Sequence, residues 1–140
     1  MSIRVLIVDD SALMRRVLSD HVSALPGFSV VGTARRGDEV LPAIAAAAPD
    51  VITLDITMPG GDGLETLRGL MQAAPRPVVM VSSVTTVDGR DAAVHAMALG
   101  AIDLVRKPQS ADADEEQRFR RALTDALHTA ASALPAAVPR

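Results

Sequence analysis

Five residues of this sequence are of types that together support phosphoryl transfer. Asp9 and Asp10 stand side by side after an apolar run, Asp55 and Ser82 end two later runs, and Lys107 follows another. Three carboxylates at one point repel one another unless a cation neutralises them, and oxygen donors without His or Cys favour a hard ion such as Mg²⁺. A lysine and a hydroxyl beside that ion suit a transferred phosphoryl group, with one carboxylate as nucleophile.

Each of these residues also has an ordinary explanation when it is taken alone. Paired aspartates before a helix often only complement the positive end of its dipole, and this is the better explanation for Asp9 and Asp10 by themselves. Asp55 alone is typical of a solvated strand end, Ser82 of a polar cap, and Lys107 of a surface lysine. Their occurrence together at the ends of four strands favours a shared site.

Five short apolar, β-branched runs predict the strands that would position these residues. The predicted strands are 3–8, 28–33, 51–54, 77–82 and 101–105. Between and after them the apolar spacing predicts five helices. The first begins after Ser11, whose side chain can cap it, and is stopped by Pro26-Gly27; three follow at about 38–48, 64–73 and 91–99, and the last begins near Asp114. Because strand and helix alternate and the central strands are apolar on both faces, we predict an α/β fold with a parallel sheet covered on both sides. In such sheets ligands bind at the carboxyl ends of the strands.

Composition limits the other classes of function. The 140 residues suffice for one domain, predicted over 1–130, with the Ala/Pro-rich residues 131–140 as a linker or tail. The absence of cysteine excludes disulfides, thiolate zinc sites and cysteine nucleophiles. A net charge of −3 with scattered basic residues predicts no nucleic-acid partner. No run approaches the roughly 20 apolar residues of a membrane span, so we expect no membrane insertion and a soluble, cytoplasmic protein.

Four segments carry a resemblance to a known family. "VLIVDDSALMRRVL", "VITLDITMPGGDGLETL", "VVMVSS" and "GAIDLVRKPQ" resemble the receiver domain of two-component response regulators, from about Ile3 to Lys107 with the last helix behind. Within that family the chain is most similar to the N-terminal receiver of chemotaxis protein-glutamate methylesterases. The resemblance implies a doubly wound, flavodoxin-like sheet of five strands in the order 2-1-3-4-5 with five helices.

The resemblance also implies roles for the acidic residues. Asp55 corresponds to the phosphoacceptor, which takes a phosphoryl group from a phosphohistidine of a partner histidine kinase. Asp10, the carboxylate of Asp55 and the backbone carbonyl of Thr57 correspond to the Mg²⁺ ligands, and Asp9 to an acid that reaches the ion through water. The receiver would catalyse only its own phosphoryl transfer.

Further positions match the family in the same way. Ser82 corresponds to the hydroxyl that turns toward the phosphoryl group, with Ser83 as its rival for contact with the bound group. Lys107 corresponds to the lysine that pairs with a phosphoryl oxygen, and receivers generally hold the following Lys–Pro bond in the cis form. Pro59 and Gly63 correspond to the loop that turns out of the third strand to present the acceptor.

The chain departs from the family pattern at two points. Leu104 stands where receivers usually carry Tyr or Phe, which makes the familiar rotation of an aromatic ring doubtful. The sequence also has no "GxSxG" elbow, and its three histidines fall in helical segments, so the catalytic machinery of a methylesterase is absent from it. Either the chain regulates a methylesterase output domain located elsewhere in a longer protein, or it is a stand-alone single-domain response regulator.

Three other functions compete with this interpretation. A Mg²⁺-dependent phosphatase that works through an aspartyl phosphate would need a second acid two residues after Asp55, where Thr57 stands. A nucleotide-binding domain would need the lysine and hydroxyl of a P-loop or spaced glycines, which "GGDGLE" lacks. A degenerate receiver that acts only as an interaction module would have lost an acid or the lysine, and here the set is complete.

Overall fold

A computed structural model describes residues 2–59, 62–87 and 89–134 of the chain. Strands and helices alternate along it. The elements are β1 (Ile3–Val8), α1 (Ala12–Ala24), β2 (Phe28–Ala34), a 3-10 turn (Gly37–Glu39), α2 (Val40–Ala47), β3 (Val51–Leu54), α3 (Gly63–Ala73), β4 (Val78–Ser82), β5 (Thr86–Val87), β6 (Arg90–Asp91), α4 (Ala92–Ala98), β7 (Asp103–Arg106) and α5 (Ala113–Ser132).

Five of the strands form one parallel sheet in the order β2-β1-β3-β4-β7. Because β5 and β6 pair only with each other, this is the order 2-1-3-4-5 counted over the sheet strands, and the predicted fold is confirmed. The sequence did not predict the β5–β6 ribbon, since two residues a side are too few to show a period of two. The histidines lie in α1, α4 and α5, as predicted.

Both faces of the sheet are buried, which explains why its central strands are continuously apolar. In β1, Leu6 and Val8 pack in a first core under α2, α3 and α4, while Val5 and Ile7 pack in a second core under α1 and α5. Successive side chains of a strand point to opposite faces, so a strand between two helical layers needs apolar residues at every position. Leu18 of α1 packs on the same face of the sheet as Val5 and Ile7, and complete burial of such a side chain contributes about 1.5–3 kcal/mol to stability.

Side-chain caps begin four of the helices. Ser11 accepts a hydrogen bond from the N–H of Met14 and so caps α1, as predicted. Aspartates cap the other three, namely Asp62 at α3, Asp91 at α4 and Asp112 at α5. Each cap satisfies a backbone N–H that the helix leaves free and contributes about 1 kcal/mol. The helices therefore begin where the loops from the carboxyl ends of the strands require.

The last helix extends past the predicted domain boundary at residue 130. α5 ends at Ser132, and Leu134 packs against the second core. Residues 135–140 lie outside the described residues, so the interpretation of 131–140 as a linker or tail stays a prediction. In the described part of the chain, no helix combines the length and the apolar character that crossing a bilayer requires.

Candidate functional site

Three carboxylates meet at the carboxyl edge of the sheet. β1 and β3 are neighbours in which Val8 pairs with Leu54, so Asp9 and Asp55 leave their strands at the same level. The N–H of Asp55 donates to the carbonyl of Val8 at 3.0 Å, which continues this register. Asp9, Asp10 and Asp55 each offer a carboxylate oxygen within 4.8 Å of the others. The cluster that the sequence predicted is therefore assembled by the parallel register.

Lys107 brings a positive charge to the same cluster. β7 lies beside β4, and the N–H of Lys107 donates to the carbonyl of Ser82 at 2.9 Å. The Lys107 ammonium lies 2.8 Å from Oδ2 of Asp9 and donates to Oδ2 of Asp55 at 3.2 Å. The shorter contact, with Asp9, is an ion pair without hydrogen-bond geometry. One largely buried cation thus bridges two of the three acids.

The two adjacent aspartates have different surroundings. Asp9 is fully buried, and its Oδ1 accepts a hydrogen bond from the N–H of Ser11 at 2.9 Å. Its backbone N–H donates to the carbonyl of Ala34, and its own carbonyl accepts from the Arg15 guanidinium at 2.8 Å. Asp10 is exposed. Of the pair, Asp10 is therefore the acid that solvent and ions can reach most directly.

Burial and neighbouring charges shift the pKa of Asp55. The side chain is buried, and removal from water raises the pKa of its carboxyl group to about 6. The Lys107 ammonium lowers this pKa and the Asp9 carboxylate raises it. Oδ1 of Asp55 also accepts a long hydrogen bond, 3.4 Å, from the N–H of Thr57. The anion is therefore costly in this site, and a further cation at the cluster would stabilise it.

The two serines after β4 are placed differently. Ser82 is the last residue of the strand and is fully buried, and its Oγ accepts a hydrogen bond from the N–H of Val84 at 3.0 Å. That bond uses the oxygen as acceptor and leaves the hydroxyl proton available for another acceptor. Ser83 follows the strand and is exposed.

Gly63 fixes the loop that carries Asp55. Its N–H donates to the carbonyl of Ile56, and the Cβ of any other residue there would overlap the Asp55 carbonyl and lie 2.6 Å from Cα of Ile56. The loop therefore closes directly onto the backbone of Asp55 and Ile56. Gly60 and Gly61 lie outside the described residues. Thr57 is exposed, and Pro59 accepts from the N–H of Gly37.

Two expectations near Lys107 have different outcomes. The Lys107–Pro108 bond is trans, so the implied cis form is wrong for this structure. The trans form is the lower in energy for most bonds that precede proline, by about 0.5–1 kcal/mol. Leu104 is half-buried and packs against the first core, where the family usually has an aromatic ring.

The sequence did not single out Arg15, which contacts the cluster through the Asp9 carbonyl. Its place one helical turn after the Ser11 cap is the signal that could have indicated it, since residues four apart share one face of a helix.

Comparisons with known proteins agree with this geometry. The family model described as "Response regulator receiver domain" matches residues 5–120. The protein-glutamate methylesterase/protein-glutamine glutaminase of Geobacillus kaustophilus is 54% identical over 107 residues, which are 76% of this chain and 30% of that protein. The chain spans 29–37% of the length of the curated relatives that it matches.

Two solved structures extend the similarity to three dimensions. The response regulator domain of Thermotoga maritima CheB shows 39% identity and a TM-score of 0.82, over 96% of this chain and 100% of that one. A complex of the P1 domain of CheA3 with CheY6 from R. sphaeroides contains a matching chain with 37% identity and a TM-score of 0.70, over 91% of this chain and 99% of that one.

Proposed function

Since the chain belongs to the response regulator receiver family, we propose that it is a phosphorylation-controlled switch in which Asp55 accepts a phosphoryl group. The observation that carries the proposal is the bridge that the Lys107 ammonium makes between Asp9 and Asp55 inside a cluster of three carboxylates. A buried lysine between two acids is positioned to meet the charge that a phosphoryl group adds. In the transfer, an oxygen of Asp55 would attack phosphorus while the bond to the donor nitrogen breaks and its electron pair stays on the donor.

We propose that the cluster binds Mg²⁺. All its donors are oxygens, and burial raises the pKa of Asp55 to about 6, so a further cation would stabilise the carboxylate anion. Asp10, Asp55 and the backbone carbonyl of Thr57 would hold the ion directly, with Asp9 contributing through water. A bound Mg²⁺ would neutralise charge on the carboxylates and on the phosphoryl oxygens.

Ser82 is proposed as the hydroxyl that contacts the phosphoryl group. It is buried at the end of β4, the strand that lies between those of Asp55 and Lys107, and its proton is free to donate. Ser83 is exposed one residue farther on and is the second candidate for contact with the bound group. We expect Ser82→Ala to lose the response to phosphorylation and Ser83→Ala to keep it, which would distinguish the two serines.

Intact mass measurement after incubation with acetyl phosphate and Mg²⁺ tests the acceptor. The wild-type chain should gain the mass of one phosphoryl group, and Asp55→Asn should not. Asp20→Asn removes the same charge from an exposed position on α1 and should be phosphorylated like wild type. A phosphoryl gain that persists in Asp55→Asn would overturn the assignment.

We propose a histidine kinase as the phosphodonor. The complex of CheY6 with the P1 domain of CheA3 supports this, because its receiver is 37% identical to this chain. A phosphorylated kinase P1 domain should lose its label to the wild-type chain and keep it with Asp55→Asn. A cytoplasmic location belongs to the same proposal, and the cysteine-free sequence is compatible with it.

The similarity to methylesterases supports a further proposal about output. We propose that the domain regulates a protein-glutamate methylesterase, because relatives with this name match it, one of them at 54% identity. A stand-alone single-domain regulator remains the alternative. The reading frame that follows the codon for Arg140 distinguishes them, since only the first requires a downstream domain with a serine nucleophile and its histidine.

A further inference from the structure

We propose that Arg15 is a positioning residue for the metal site, which orients Asp10 by holding the peptide between Asp9 and Asp10. The inference rests on the proposed function, because it assumes that a divalent ion binds at the carboxylate cluster. Arg15 touches neither the acceptor nor the ion in this assignment and acts through the backbone.

The contact that carries the inference is the hydrogen bond from the Arg15 guanidinium to the carbonyl of Asp9, 2.8 Å long and partly buried. The other polar groups of Asp9 are also engaged: its N–H with Ala34, its Oδ1 with Ser11 and its Oδ2 with Lys107. Asp9 is thus held by three hydrogen bonds and, at Oδ2, by an ion pair, and Arg15 supplies the hydrogen bond at the side that faces Asp10.

Peptide planarity transfers this restraint to Asp10. The carbonyl of Asp9 and the N–H of Asp10 belong to one rigid plane, so a bond that fixes the carbonyl also fixes the direction in which the chain reaches Asp10. The Asp10 side chain is exposed, and the surrounding protein constrains it little. The backbone that carries Asp10 therefore sets the direction of its Cα–Cβ bond, and with it the region near the other two carboxylates that the Asp10 carboxylate can reach.

Electrostatic repulsion and positioning predict opposite changes in Mg²⁺ affinity when Arg15 is removed. A guanidinium near three carboxylates competes electrostatically with a divalent ion, so its removal should tighten Mg²⁺ binding if only Coulomb forces act. If Arg15 positions Asp10, its removal should instead weaken binding, because a ligand that is free to move must be ordered when the ion binds. The sign of the change separates the two explanations.

Arg16 provides a matched control. It is the next residue of α1, its side chain is 83% exposed, and its guanidinium lies 4.0 Å from Asp20 on the outer face of the helix. Arg16→Gln therefore removes the same charge from the same helix without touching the Asp9 carbonyl.

The experiment is a calorimetric titration of Mg²⁺ into the metal-stripped full chain for wild type, Arg15→Gln, Arg15→Lys and Arg16→Gln. Loss of a group that orients a metal ligand typically weakens affinity by about tenfold or more, so the Kd of Arg15→Gln should rise about tenfold. The Kd of Arg16→Gln should stay within about twofold of wild type or fall, as the Coulomb term alone predicts. Arg15→Lys, which keeps a donor, should lie between wild type and Arg15→Gln.

A second readout separates positioning from a loss of folding. At saturating Mg²⁺ the acetyl phosphate reaction of Arg15→Gln should return to near the wild-type rate, because the acceptor and Lys107 are unchanged. An unchanged or lower Kd in Arg15→Gln, with normal binding by wild type, would overturn the inference. Should Arg15→Gln fail to fold, Arg15→Met takes its place. A Kd about tenfold above wild type in Arg15→Met would support the inference, and a Kd equal to that of Arg16→Gln would overturn it. Absence of Mg²⁺ binding by wild type would instead overturn the proposed metal site.

Discussion

Substitution of Gly63 by alanine should damage both folding and phosphoryl transfer. A Cβ at this position would lie 2.6 Å from Cα of Ile56 and 2.8 Å from the carbonyl carbon of Asp55. Carbon atoms in contact normally lie about 3.5–4.0 Å apart, so the two backbone segments must separate by about 1 Å. Neither segment is a flexible side chain that can move aside, and we expect a loss of about 3 kcal/mol in the free energy of unfolding.

The same displacement should slow the chemistry. Asp55, the proposed acceptor, lies on the segment that would move, and a misplacement of about 1 Å at a reacting group costs on the order of 100-fold in rate. Phosphorylation by acetyl phosphate, measured by intact mass at a temperature where the variant is folded, should fall by about this factor. Stability should be measured by urea unfolding with far-UV circular dichroism, because the chain has no Trp or Tyr.

Gly69 is the control for Gly63. It lies in the same helix, and a Cβ added there meets nothing within 4 Å. Gly69→Ala should raise the free energy of unfolding by about 0.5–1 kcal/mol, since a helical glycine loses more entropy on folding than alanine. Its phosphorylation rate should match wild type. Equal stability or equal rate for Gly63→Ala and wild type would refute the argument from the close approach.

Three further predictions concern buried or half-buried polar groups. The pKa of Asp55 is raised to about 6, so the folded state binds the Asp55 proton more tightly than the unfolded chain does. In the absence of metal, Asp55→Asn should therefore be about 1–2 kcal/mol more stable than wild type above pH 6, and this difference should disappear by about pH 4. Denaturation in EDTA across this range measures it, and a variant less stable at pH 7.5 would contradict it. The buried hydroxyl of Thr53 has no partner among the described residues, so Thr53→Val should be more stable by about 1 kcal/mol in urea unfolding; a loss of stability would mean that the hydroxyl is satisfied. Burial, with a smaller effect of Arg120, lowers the pKa of His21. The stabilising contribution of His21 is therefore present above pH 6.5 and is lost as the pH falls through and below that value. Between pH 7 and 5, His21→Gln should lose less stability than wild type, and parallel pH profiles of the two proteins would count against this.

The sequence predicted the architecture because the pattern repeats. Five apolar runs and five helical segments agree with the structure to within two residues at nearly every described end, and Ser11 caps α1 as expected. Local chemistry decides such features: β-branched runs, caps and helix-stopping Pro-Gly act over a few residues. The β5–β6 ribbon was missed because its pairs hold through contacts across a turn rather than through a period in the sequence.

The residue types at the strand ends were likewise visible in the sequence, but the different burial of the two adjacent aspartates was not. Asp9 and Asp10 are chemically identical neighbours, and only the packed structure makes one fully buried and the other exposed. The same packing removes water from Asp55 and brings Lys107 to it, although 52 residues separate them along the chain. A pKa depends on the water and charges around a group, and these are properties of the three-dimensional arrangement.

By itself, then, the sequence determined the fold class, the strand ends, and the acids, serine and lysine that stand at those ends. The tertiary structure decided which aspartate Lys107 binds more closely, how nearly Gly63 approaches the backbone of Asp55, and that Arg15 holds the Asp9 carbonyl. The physical reason is range. Periodicity and capping act between residues a few positions apart, whereas burial, ion pairing and backbone approach arise only after distant segments have packed together.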